Sequence, residues 1–359
     1  MPDSSTCAAC HPKIVHEYER SMHANSSIYN DVIHKAVWDR HPDKKHNNYK
    51  CAKCHTPADH DLIEGKYKLG KNYIQTHEPI SCQSCHQIKS IEKHKQSNTN
   101  KYIKKKKYFF SADEKKKGTI VSFHEKSSFW GLVTKISGSP YHDIDYGNEN
   151  YYNGNVCMGC HDHKRNESGF AICDLSVDQG SSHQTCISCH MPQIKGSFVN
   201  LKSTSTHAYH GISIHNGTPQ HLAQYIDLNL TVGHNGFDVK LHNQATHALF
   251  VQPLRLGQLR VLITRNGASV HLKTVDFHRV IGKDGRPAMP WLADTVLADT
   301  TIRAHETRVL HYGYKLQKGD MVTLELGYYL VNPKAADKLG IKDRKATSFI
   351  VLTRSIIQI

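Results

Sequence analysis

Two cysteines and a histidine recur five times in one spacing: CAACH at 7–11, CAKCH at 51–55, CQSCH at 82–86, CMGCH at 157–161 and CISCH at 186–190. Pairs spaced C-x-x-C serve as zinc knuckles, redox dithiols or haem anchors, and only the last needs a histidine directly after the second cysteine. In that chemistry two sulfurs form thioethers to a porphyrin and the adjacent histidine ligates its iron. Coincidental histidines could accompany one zinc ribbon, but not five. The motifs therefore predict five covalently bound c-type haems. The thioether sulfurs are Cys7, Cys10, Cys51, Cys54, Cys82, Cys85, Cys157, Cys160, Cys186 and Cys189, and the proximal ligands are His11, His55, His86, His161 and His190.

Haems change how the composition reads. Only 38% of the 359 residues are hydrophobic, which is lean for this length, and five flat apolar groups would provide the missing core. The formal net charge of +14 would suggest an acidic partner, but propionates offset roughly one to two charge units per haem. Nucleic acid is thereby disfavoured as the partner; redox proteins, some of them acidic, are expected. No apolar run is long enough for a transmembrane helix. Thioether attachment is made outside the cytoplasm, so a periplasmic, extracellular or cell-surface location is expected. The chain opens MPDSST without a signal peptide, and a secretion signal is expected to have been removed.

Each iron needs a second axial ligand or keeps an open face. Beyond the motifs 23 histidines remain against six methionines in all, so bis-histidine ligation and low potentials are the default. The candidates for the distal position are His23 in a short helix after the first motif, His60 just behind the second, His142 in a turn-rich segment, and His207 in STSTHAYHG, which also holds His210. His34, His77, His94 and His124 are substitutes. The eleventh cysteine, Cys173, reads as a small buried hydrophobe, the alternatives being a free thiol near a haem or an intermolecular partner.

The segments CAACH…YERSMHA, CAKCHTPADH, ISCQSCH and CISCHMP…STHAYHG resemble the multihaem cytochrome family that includes the nitrification tetrahaem cytochromes and the octahaem hydroxylamine-oxidoreductase-like proteins. The likeness covers roughly residues 5–255. It implies that the S-x-H histidine, His23, and the histidine behind C-x-x-C-H-x-P, His60, are distal ligands. Members with a C-terminal β domain carry an N-x-x-x-H-x-x-P-like segment, to which NQATHALFVQP at 243–253 corresponds loosely, with Pro253 displaced. That likeness makes His247 a fifth distal candidate, reaching from the β domain toward a haem. The chain departs from the family in having five motifs rather than four or eight, and no C-x-x-C-K haem.

All cysteines precede residue 190. From about 222 short alternating segments such as LRVLITR and MVTLELGYYLV follow one another with turn signals between them. They predict an antiparallel β-sandwich of immunoglobulin-like type. The expected organisation is thus multidomain: a mostly α or irregular pentahaem cytochrome domain over 1–221, then a β-sandwich over 222–359. Trp291 reads as a loop or packing residue. A lysine-dense insertion over about 93–120 reads as a solvated loop with a short hairpin, or as a docking patch for an acidic partner or membrane surface.

Electron transfer through a chain of mostly bis-histidine haems is the leading functional expectation. The alternatives are an oxidoreductase with one open haem, acting on a nitrogen or sulfur oxyanion, and a subunit of an extracellular conducting assembly joined through the sandwich.

Overall fold

The computed structural model describes residues 4–359 except 106, 129–132, 176, 179–183, 201–203, 205 and 213–218. Two compact units emerge. The first comprises 1–30, 43–161 and 185–212, and the second 31–42, 162–184 and 213–359. The division differs from a single cut after 221, because two earlier segments cluster with the C-terminal strands. The reason lies in their own contacts. Ala36 packs with Val331, Ala336, Ile341 and Ala346, and the Asn166 amide donates to the carbonyls of Pro290 and Ala293.

The first unit is built of short pieces. Its helices are four to eight residues long, and most begin or end at a cysteine motif. Local chemistry explains several of them. Ser81 and Thr185 cap the helices Cys82–His86 and Cys186–His190, each with a reciprocal bond from the serine at the third position, so that two orphan donors are satisfied at each start. The insertion between the third and fourth motifs is more ordered than a solvated loop. Tyr108–Phe110 runs parallel to Asp143–Asp145, and Ile120–Val121 pairs with the same central strand antiparallel. Lys106 of the lysine run lies outside the described residues.

The second unit is made of antiparallel sheets. Ile226–Gly233, Gly236–Asn243 and Thr307–Tyr312 form one, in that order. Leu256–Arg265, Met321–Tyr329 and Ile350–Gln358 form the spine of another. Along Leu256–Arg265 buried and partly exposed positions alternate, as a strand with one face on a core requires. Leu241 and Phe237 from the first sheet share that core with Leu259, Ile263, Leu324 and Leu326 from the second. Trp291 lies edge-on to His41, which stacks on Trp38, so it packs as the sequence suggested. Among the described residues no helix is long and apolar enough to cross a membrane.

Candidate haem centres

Four of the motifs coil into a helical turn: the last three residues or more of 51–55, 82–86, 157–161 and 186–190 are helical. In the first motif the His11 amide closes a turn onto the Cys7 carbonyl at 2.7 Å. One turn brings positions i, i+3 and i+4 to one face, which is what two thioethers and an iron ligand on one porphyrin demand. In the fourth motif the backbone is crowded as well. A Cβ on Gly159 would meet Asn100 Oδ1 at 1.7 Å.

Three proximal candidates have their tautomer fixed by the main chain. His11 Nδ1 lies 2.6 Å from the Phe198 carbonyl, His55 Nδ1 3.1 Å from that of Ser26, and His86 Nδ1 2.7 Å from that of Phe110. A carbonyl oxygen only accepts, so Nδ1 carries the proton and Nε2 the lone pair a metal needs.

Three of the motif histidines face a second ring within the first unit. The centroids of His11 and His142 are 6.2 Å apart, those of His161 and His23 6.1 Å, and those of His86 and His210 6.2 Å. A metal held between two imidazoles by bonds of about 2 Å puts the ring centres about 6.3 Å apart. Burial favours the neutral imidazole, with its lone pair available, in five of these six rings. It lowers His23 to about 4 and His210 to about 3, and it also lowers His86, His142 and His161. Among the described residues no group of three or more His, Cys, Asp or Glu could hold a metal ion. Two opposed imidazoles fit instead a metal that brings its own four equatorial nitrogens, as haem iron does.

The thiols of different motifs also meet. The sulfurs of Cys157 and Cys186 lie within hydrogen-bonding reach of each other, as do those of Cys160 and Cys54. The fourth motif therefore touches both the second and the fifth.

The structure redistributes the distal candidates. His23 and His142 face motif histidines, whereas His207 does not. Its Nδ1 lies 3.0 Å from the Gly196 carbonyl and its Nε2 2.8 Å from Glu17 Oε1. With an acceptor at each nitrogen, both lone-pair directions of the ring are occupied and none is left for iron. The ring facing His86 is that of His210, three residues on. Glu17 links the two, since its Oε2 accepts the His210 backbone N–H at 2.9 Å. His60 lies edge-on to Tyr102, while His77 stacks on Tyr73 and His94 pairs with Glu92. His247 sits in the second unit, in a loop organised by the buried Asn243, whose amide donates to the carbonyls of His247 and Arg303. The His247 Nδ1 lies 3.0 Å from the Ala248 carbonyl. Cys173 is partly buried, burial raises its thiol, and Gln252 Nε2 donates to its sulfur at 3.4 Å.

With this geometry in hand, the likeness to known proteins is specific. Residues 6–87 match the family described as Cytochrome c554 and c-prime. The whole chain superposes on a penta-heme cytochrome c552 from Thermochromatium tepidum with a TM-score of 0.73 and 20% identity, covering 100% of this chain and 99% of that one. The chain has a multihaem cytochrome fold. No curated protein sequence matches it. His210 was offered by the sequence only beside His207; Glu17 and the carbonyls of Phe198, Ser26 and Phe110 escaped sequence reasoning, because a backbone carbonyl carries no side-chain signal. The pair Glu17 and His207 could have been suspected only from three-dimensional proximity, being 190 positions apart.

Proposed function

We propose that this protein is a five-haem c-type cytochrome that relays electrons between redox partners outside the cytoplasm. The single observation that carries the reading is the set of three ring pairs, each joining a motif histidine to a histidine from elsewhere at the span of one metal. Each haem, when bound, supplies a reversible one-electron iron couple. The ten motif cysteines would hold the porphyrins. His11 with His142, His161 with His23, and His86 with His210 would hold three irons; His55 and His190 are the proximal ligands of the other two. Two imidazoles on one iron leave it no face for substrate and little to rearrange on redox change, which suits electron transfer rather than bond-making. The meeting of Cys157 with Cys186 and of Cys160 with Cys54 supports short steps between neighbouring centres. The strand pairings of the second unit support reading it as an immunoglobulin-like sandwich that acts as scaffold.

An EPR spectrum of the ferric holoprotein tests the relay. Low-spin signals alone are expected, the irons of His55 and His190 taking their second imidazole from the remaining histidines. A persistent high-spin haem that binds nitrite or sulfite would replace the relay with an oxidoreductase.

A further inference from the structure

The insertion between the third and fourth motifs is tied to two of the proposed centres at once. Its first strand, Tyr108–Phe110, presents the Phe110 carbonyl to His86 Nδ1 at 2.7 Å. Its central strand, Asp143–Asp145, begins one residue after His142, whose ring faces His11 and is flanked edge-on by Phe109 at 5.4 Å. The parallel pairing Tyr108↔Asp143 to Phe110↔Asp145 locks these two contacts into one small sheet. No solvated loop would need to do this.

The outside of the same segment is strongly basic. Between Lys101 and Lys117 the sequence holds eight lysines against two carboxylates, Asp113 and Glu114. Lys104, Lys105, Lys107 and Lys115 are exposed. Apolar side chains are exposed in the same insertion: Ile120 at 58%, Phe123 at 39% and Tyr141 at 67%. The second unit exposes comparable residues, such as Val309 at 58% and Ile356 at 61%, so it is their company with the lysines, not their exposure, that matters here. Apolar contact area bounded by like charges is the make-up of a transient interface, where charge steers the encounter and a small dry area holds it.

We propose that the insertion is the docking port for an acidic electron-transfer protein, and that electrons pass through it to or from the irons of His11 and His86. The inference rests on the relay reading and adds the partner's chemistry and its point of entry. A protein is favoured over an anionic membrane because the sheet beneath the lysines leads directly to two iron-ligand sites, which a lipid surface would not use.

The test uses the full-length holoprotein with an acidic flavodoxin as reductant, followed by stopped flow at low ionic strength. In the Lys104→Glu/Lys105→Glu/Lys107→Glu protein the second-order rate should fall about tenfold or more, and the gap should close in high salt. The matched variant Lys318→Glu/Lys342→Glu/Lys345→Glu, with the same net charge but changed in the second unit, should fall less than about twofold. An equal fall in both variants, or none in the first, overturns the port. So does a first variant that keeps its flavodoxin rate but no longer binds phosphatidylserine vesicles. Reduction by a small uncharged flavin radical checks the relay separately: it should be unchanged in both variants, and its failure in the parent protein would count against the relay itself.

Discussion

Among the described residues, eleven of the twelve largest side chains with under 2% exposure belong to the second unit, Phe237, Leu259 and Leu324 among them. The twelfth, Gln75 in the first unit, is an amide that donates to Asp59. One unit thus buries aliphatic and aromatic side chains on paired sheets, while in the other buried serines and amides such as Ser21, Ser27, Gln75 and Gln83 stand among apolar residues such as Val15, Ile28 and Ile88. A polar interior is tolerable only when every group finds a partner or when something else fills the space. The second unit carries its own reason to fold; the first is built to receive one.

The most drastic way to break that contrast is to replace all ten motif cysteines by alanine in the full chain. Hydrogen exchange should then show the first unit unprotected throughout while the strands of the second stay protected. Equal protection in both would mean that the first unit has a sufficient core without haem. The reciprocal change is Leu324→Ala, expected to cost about 2–5 kcal/mol. It should lower the melting transition of the second unit and leave the low-spin haem absorption of the first intact; bleaching of that absorption alongside the melt would couple the two cores.

A finer contrast lies within STSTHAYHG. His210→Ala should turn one haem of the five high-spin in EPR, whereas His207→Ala should turn none. The reverse outcome would return the ligand to His207. The smallest effect is expected from Glu17→Gln, which leaves every haem low-spin but weakens the hold on the His210 backbone. A shift in one set of low-spin g-values is the expected signature. A spectrum identical to that of the parent would reduce Glu17 to a packing partner of His207.

What could be read in advance divides along the same line. Motif cysteines and alternating strands were legible because their signals are local: five residues for a haem handle, a period of two for a strand. That His23 and His142 lie opposite motif histidines agrees with isolated histidines the sequence offers. That His210, and not His207, lies opposite His86 was not legible, because the two share one short segment and only the pairing of Thr206–Ala208 with Gln193–Lys195 decides where each ring lands. The insertion hid its order for a similar reason. Tyr108 and Asp143 pair across 35 positions, in parallel, and no periodicity announces that. The segments 31–42 and 162–184 joined the second unit through contacts hundreds of positions away, such as Arg40 with the Lys338 carbonyl.

The carbonyls of Phe198, Ser26 and Phe110 that receive His11, His55 and His86 belong to the main chain, so no side-chain exchange at those three positions deletes the acceptor. Drift at these sites can alter bulk and polarity while the ligand's electronic setting is inherited unchanged. If His11, His55 and His86 hold irons as proposed, side chains at Phe198, Ser26 and Phe110 can change while the acceptor behind each ring is kept.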